Sequence, residues 1–187
     1  MTTNRVIVSG FGGQGVMGIG QLLTYAGMFD DKHVSWLPSY GPAMRGGAAN
    51  CSVIISDEPI GAPNISTADA AIVMNEPSLD KFESYVAPGG HIFINSSLVS
   101  KDTSRNDITS HHLPVNELTA EYGNPRVLNM IMIGAFNTIL NMVSQEALEK
   151  AVDKLYGKKG EKITKMNLDA LKFGENKMKE ILNAKRS

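Results

Sequence analysis

Short β-branched runs alternate with stretches of helical spacing along the chain. Arg5–Ser9 (RVIVS) predicts a buried strand. A glycine-rich turn, GFGGQG (10–15), follows it. In Val16–Phe29, residues Val16, Ile19, Leu22, Leu23 and Ala26 fall on one face of a helix. His33–Leu37, Ala48–Ser56, Ala70–Met74, His91–Asn95 and Ile108–Leu113 predict five more strands, with a Gly/Pro-rich loop over Pro38–Gly47. Helices are expected at Ser78–Val86, at Asn116–Tyr122 (stopped by Gly123), at Val127–Val143, at Gln145–Tyr156 and at 163–184. Ser144 reads as the N-cap of Gln145–Tyr156, and Gly174 as a weak point inside the last helix. The polar stretch 98–108 predicts an exposed loop.

Strands alternating with helices imply an α/β fold: a three-layer, Rossmann-like domain with a mostly parallel (mixed) sheet and a helical C-terminal region. The 187 residues suit one domain, 1–187, with 144–187 as its helical extension. Residues 1–149 are net −7 and residues 150–187 net +6. That is either a solvated Lys-rich tail or a basic docking surface. The overall charge of −1 excludes a case for nucleic-acid or membrane-surface binding. The apolar stretch Val127–Val143 is broken by Asn129, Asn137 and Asn141, so it reads as a buried helix rather than a membrane span. One cysteine, Cys51, can form neither an internal disulfide nor an iron–sulfur cluster site. With no signal-peptide pattern at the start, a cytoplasmic location is expected.

Gly10, Gly12 and Gly15 fit G-x-G-x-x-G between a strand and a helix. Glycines let the backbone approach a ligand, and the helix start behind them favours an anion. A structural strand-to-helix turn explains the same residues. Gly13 and Gln14 set the loop apart from the simple dinucleotide fingerprint, and the second strand ends in Trp36-Leu37-Pro38-Ser39 without the acid that would hold a ribose. Bound nicotinamide is therefore disfavoured. Ser39, Tyr40, Arg45 and Gly46 lie on the next loop, expected at the same sheet edge. Arg45 suits either an anion clamp or a salt bridge. The tandem His111-His112 is no chelating pair, because neighbours on a strand point to opposite faces. Cys51 reads as an inert buried thiol and Asn129 as a buried amide bonded to neighbouring backbone.

Taken together, GFGGQGVMGIGQLL (10–23), PSYGPAMRGG (38–47), VIISDEPI (53–60) and PRVLNMIMIGAF (125–136) resemble the gamma subunit of 2-oxoacid:ferredoxin (acceptor) oxidoreductases, and NLDALKFG (167–174) still fits. The resemblance implies oxidative decarboxylation of a 2-oxoacid with coenzyme A to acyl-CoA, CO2 and reduced ferredoxin, with 2-oxoglutarate or a branched-chain 2-oxoacid favoured over pyruvate. It implies alpha and beta partner subunits, with a ferredoxin-like delta subunit as a further candidate. Thiamine diphosphate and iron–sulfur clusters would reside on those partners, with no cofactor held tightly here and no catalytic or metal residue. Gly10, Gly12, Gly13, Gln14, Gly15, Ser39, Tyr40, Arg45 and Gly46 would face the coenzyme A-side pocket. A stand-alone nucleotide or coenzyme A binding module, or a nicotinamide-dependent dehydrogenase, are the competing expectations. Isolated, the subunit is expected to self-associate.

Overall fold

The computed structural model describes residues 2–40 and 47–185. Its six strands are β1 (Thr3–Phe11), β2 (His33–Tyr40), β3 (Ala48–Ser56), β4 (Ala68–Val73), β5 (Val86–Asn95) and β6 (Thr109–Leu113). They form one sheet in the order β2-β3-β1-β4-β5-β6. The helices are α1 (Val16–Phe29), α2 (Glu76–Phe82), α3 (Val115–Tyr122), α4 (Leu128–Leu140), α5 (Gln145–Tyr156) and α6 (Glu161–Ala184).

The sheet is mostly parallel with one reversed strand. β1, β4, β5 and β6 pair parallel, whereas β3 runs antiparallel to both β1 and β2. The cause is chain length: only residues 41–47 separate β2 from β3, too few for a parallel crossover. β2 continues through Pro38 to Tyr40, beyond the strand end expected from sequence. A proline is tolerated there because β2 lies at the sheet edge.

The two faces are covered unequally. Val6, Val8, Cys51, Val53, Ile55, Ile72 and Phe93 point to the larger core, which takes in α1, α3, α4, α5 and α6. The smaller core packs Leu79 and Phe82 of α2 on Ile7, Ala71, Val73, Ile92 and Ile94. Val99 is buried in it, and the Arg105 guanidinium donates to the Glu83 (2.8 Å) and Val86 (2.5 Å) carbonyls. The 98–108 segment is largely exposed, as expected, yet it is pinned at Val99 and Arg105, with Thr103 and Ser104 also bonded to the Glu83 carboxylate.

Helix ends follow the local chemistry. Ser144 Oγ accepts from Ala147 N at 3.1 Å, as a capping serine should. Gly123 ends α3 at φ 86° and Asn141 ends α4 at φ 45°, both left-handed. Gly174 does not interrupt α6, which is continuous through it. It faces the Ile131 carbonyl of α4, while Gly134 of α4 faces the Leu171 carbonyl of α6. The two glycines let the helix backbones approach where a Cβ would overlap them.

Candidate functional site

The first turn of the site is held by side chains reaching inward. Gly13 (φ 94°) and Gly15 (φ 78°) are left-handed, so the chain reverses within four residues of β1. Gln14 folds back beneath this turn. Its Oε1 accepts from Phe11 N (2.6 Å) and Asn75 Nδ2 (3.0 Å), and its Nε2 donates to Met74 O (3.4 Å). Asn75 Oδ1 caps α2 through Ser78 N (3.0 Å), and Ser9 Oγ bonds Ser78 Oγ (2.9 Å). This network fills the crevice between β1 and β4, where the strand order reverses and open α/β sheets usually take ligands. Gly10 lies under it: a Cβ there would meet Gln14 Oε1 at 2.7 Å and Met74 Cβ at 2.9 Å.

The open space lies on the other side of β1. Phe11, Gly12, Gly13, Gly15, Gly18 and Tyr40 are among the residues lining a surface pocket of about 360 Å³. The structure thus brings Tyr40 to the glycine turn, as expected of loops sharing one sheet edge. The pairings Phe11↔Ala48 and Tyr40↔Ala49 place the start of β3 there too. Two turn amides are already engaged: Gly12 N donates to Gly47 O (3.1 Å) and Gln14 N to Phe11 O (3.1 Å). The first-turn amides of α1, at Val16, Met17 and Gly18, have no intrahelical acceptor and border the pocket. Ser39 is exposed on β2. Arg45 and Gly46 lie outside the described residues.

The floor of the site is closely packed. Asn129 of α4 packs against Gly15 and Gly18; its Oδ1 accepts from Met130 N (3.1 Å) and its Nδ2 donates to Tyr156 Oη (3.4 Å). Below α1, Cys51 Sγ donates to Val16 O (3.6 Å), and burial pushes its thiol up to about 11. A thiol so held is neither a nucleophile nor a cluster ligand at neutral pH.

A nicotinamide site fits poorly. Antiparallel β3 lies between β1 and β2, so the end of β2 is one strand further away than ribose recognition requires. Asp30 and Asp31 sit at the opposite end of β2, and the Asp30 carboxylate accepts from Ser144 N (2.6 Å) and Oγ (2.5 Å).

One pair escaped sequence reading. His91 Nδ1 and His111 Nε2 are 3.0 Å apart on β5 and β6, and the His111 ring stacks on Phe93. Only the strand register brings residues twenty apart together. His112 points the other way, to Asp102 (3.1 Å), so the tandem histidines do face opposite sides of the sheet. Among the described residues, no group of three or more metal-ligating side chains occurs and no helix is long and apolar enough to cross a membrane.

Comparison with known proteins gives a consistent picture. The family model described as "Pyruvate ferredoxin/flavodoxin oxidoreductase" matches residues 5–176. Ketoisovalerate oxidoreductase subunit VorA of Methanothermobacter thermautotrophicus is 37% identical over 171 residues, 91% of this chain. This chain spans only about a third (35%) of that relative. 2-Oxoglutarate synthase subunit KorC of Methanocaldococcus jannaschii is 36% identical over 151 residues, 79% of this chain and 81% of the relative. The solved gamma subunit of a keto/oxoacid ferredoxin oxidoreductase from Geobacter sulfurreducens superposes with a TM-score of 0.78 at 29% identity, covering 94% of this chain and 98% of that one. The chain belongs to the pyruvate ferredoxin/flavodoxin oxidoreductase family.

Proposed function

We propose that this chain is the gamma-type subunit of a cytoplasmic 2-oxoacid:ferredoxin oxidoreductase. The complex oxidatively decarboxylates a 2-oxoacid with coenzyme A, giving acyl-CoA, CO2 and reduced ferredoxin. The observation that carries the reading is the match to KorC, which spans most of both chains. The two relatives with the highest identity above act, by name, on ketoisovalerate and 2-oxoglutarate, which favours those substrates over pyruvate. Thiamine diphosphate and iron–sulfur clusters, when bound on alpha and beta subunits, supply the carbanion chemistry and the electron path. The single buried thiol of this chain is unsuited to hold a cluster.

The contribution of this chain is to bind and orient. The turn at Gly12, Gly13 and Gly15 and the open first-turn amides of α1 fit an anionic group, such as the phosphates of coenzyme A, beside Tyr40. Gln14 and Gly10 support that turn from beneath. Ser39, Arg45 and Gly46 belong to the same proposed surface on the strength of the sequence motif.

The test is purification of the tagged full chain from its host, with the recovered material assayed for 2-oxoacid- and coenzyme A-dependent dye reduction. Recovery of larger chains together with that activity is expected. An isolated chain that oxidises a 2-oxoacid unaided, or a preparation in which larger chains and activity never appear, rules the reading out.

A further inference from the structure

β2 forms one edge of the sheet, so one side of an eight-residue strand has no paired strand among the described residues. Soluble proteins normally blunt such edges with charge, bulges or covering segments. Here Pro38 is the one such device on the strand. Neither β2 (HVSWLPSY) nor β3 (AANCSVIIS) contains a Lys, Arg, Asp or Glu, although 20% of the chain is charged. Side chains alternate across the sheet. Val34, Trp36, Val53 and Ile55 therefore turn to α1 and the larger core. Ser35, Leu37, Ser39, Asn50 and Ser52 turn to the opposite face, where Leu37 is 40% exposed. Among the described residues, five of the seven exposed large hydrophobics, Phe11, Met28, Phe29, Leu37 and Tyr40, lie on β1, α1 or β2.

We infer that the open edge of β2, with the uncharged outer face of β2 and β3, is the docking surface for the larger polypeptide of the same oxidoreductase. This rests on the gamma-subunit reading. Two observations select that occupant. The VorA relative carries the matched stretch in a chain about three times as long, so about two thirds of that polypeptide lies outside the shared fold and is there to be placed against it. The surface also runs into the glycine-turn pocket, since Tyr40 at the end of β2 lines it. A partner seated on β2 covers the pocket on the side that Tyr40 borders. Its contact face is uncharged and offers backbone or amide groups to the free strand edge.

The experiment compares the tagged full chain, its Leu37→Lys variant and a Leu98→Lys control, each purified from the host. Leu98 is 46% exposed on the segment after β5, away from β2. Wild type and Leu98→Lys are expected to recover the larger chains and dye-reducing activity. Leu37→Lys should lose both at least tenfold while its circular dichroism and melting temperature match wild type. Ser35→Lys, on the same face, is the second variant should Leu37→Lys fail to fold. If wild type recovers no larger chains, the gamma-subunit reading itself fails. If the larger chains bind Leu37→Lys and Ser35→Lys as they bind wild type, the docking surface is wrong while that reading stands. A wild-type dimer that the lysine variants dissolve, with complex formation untouched, assigns the edge to a second copy and equally overturns the inference.

Discussion

The side-chain amide of Gln14 is committed inward at both ends, to Phe11 N and Asn75 on one atom and to Met74 O on the other. Gln14→Ala leaves those partners to find water in a crevice already filled. It should lower unfolding free energy by about 1–3 kcal/mol, read from urea denaturation. An unchanged midpoint would mean the network adds nothing. His91 and His111 make a second residue-level prediction. Burial, then His91 nearby, hold His111 down at about 4 from an ordinary 6.5, and burial lowers His91 as well. Below pH 6.5 the unfolded chain takes up protons that the folded chain refuses. Stability is therefore intact above about pH 6.5 and declines as pH falls toward about 4. His111→Phe keeps the stack on Phe93 and should flatten the decline between pH 6.5 and 5. Carboxylates such as Glu83 and Glu175 are shifted down from 4.5 and contribute below that window.

Between elements, the α4–α6 crossing depends on Gly134 and Gly174, each facing the other helix's carbonyl group. A glycine-to-alanine change inside an ordinary helix stabilises by roughly 0.5–1 kcal/mol. Here the added methyl meets backbone, which cannot step aside, so Gly174→Ala should destabilise by about 3 kcal/mol. Thermal melts of that variant decide the sign. Ser144 joins two other elements: it caps α5 and donates to Asp30 at the end of α1. Ser144→Ala should cost about 1–2 kcal/mol, and Ser144→Thr should recover most of it in the same melts.

For the molecule as a whole, the sheet ends in two edge strands, β2 and β6, and among the described residues no strand pairs with the outer side of β2. The charged groups are unevenly placed, with the basic excess in 150–187. Among those lysines, Lys150, Lys172, Lys177 and Lys179 are neutralised by Glu146, Glu175, Glu121 and Glu180. Glu175 and Glu180 are already counted in the net +6, so Glu146 and Glu121 offset two of those charges and the rest of the excess stays on the helical surface. Isolated chain is expected to self-associate, with the mass from light scattering rising as concentration rises. A constant monomer mass up to high concentration would count against that.

Local periodicity determined the elements. The 3.6-residue spacing in Val16–Phe29, the β-branched runs and the stop at Gly123 all act within a few residues, so they are readable without a fold, whereas the helix expected through Val143 ends at Leu140, where Asn141 turns left-handed. The same holds for the glycine turn at the end of β1 and for its neighbour at Tyr40, because both follow strands that point the same way. Strand order and register involve residues far apart in sequence, and only the tertiary structure decided them. It inserted β3 between β1 and β2, turned Gln14 into the crevice and set His91 against His111. It also put Gly174 where another helix's backbone passes. A one-dimensional pattern tells which face of an element is apolar, but not which other element will be packed there.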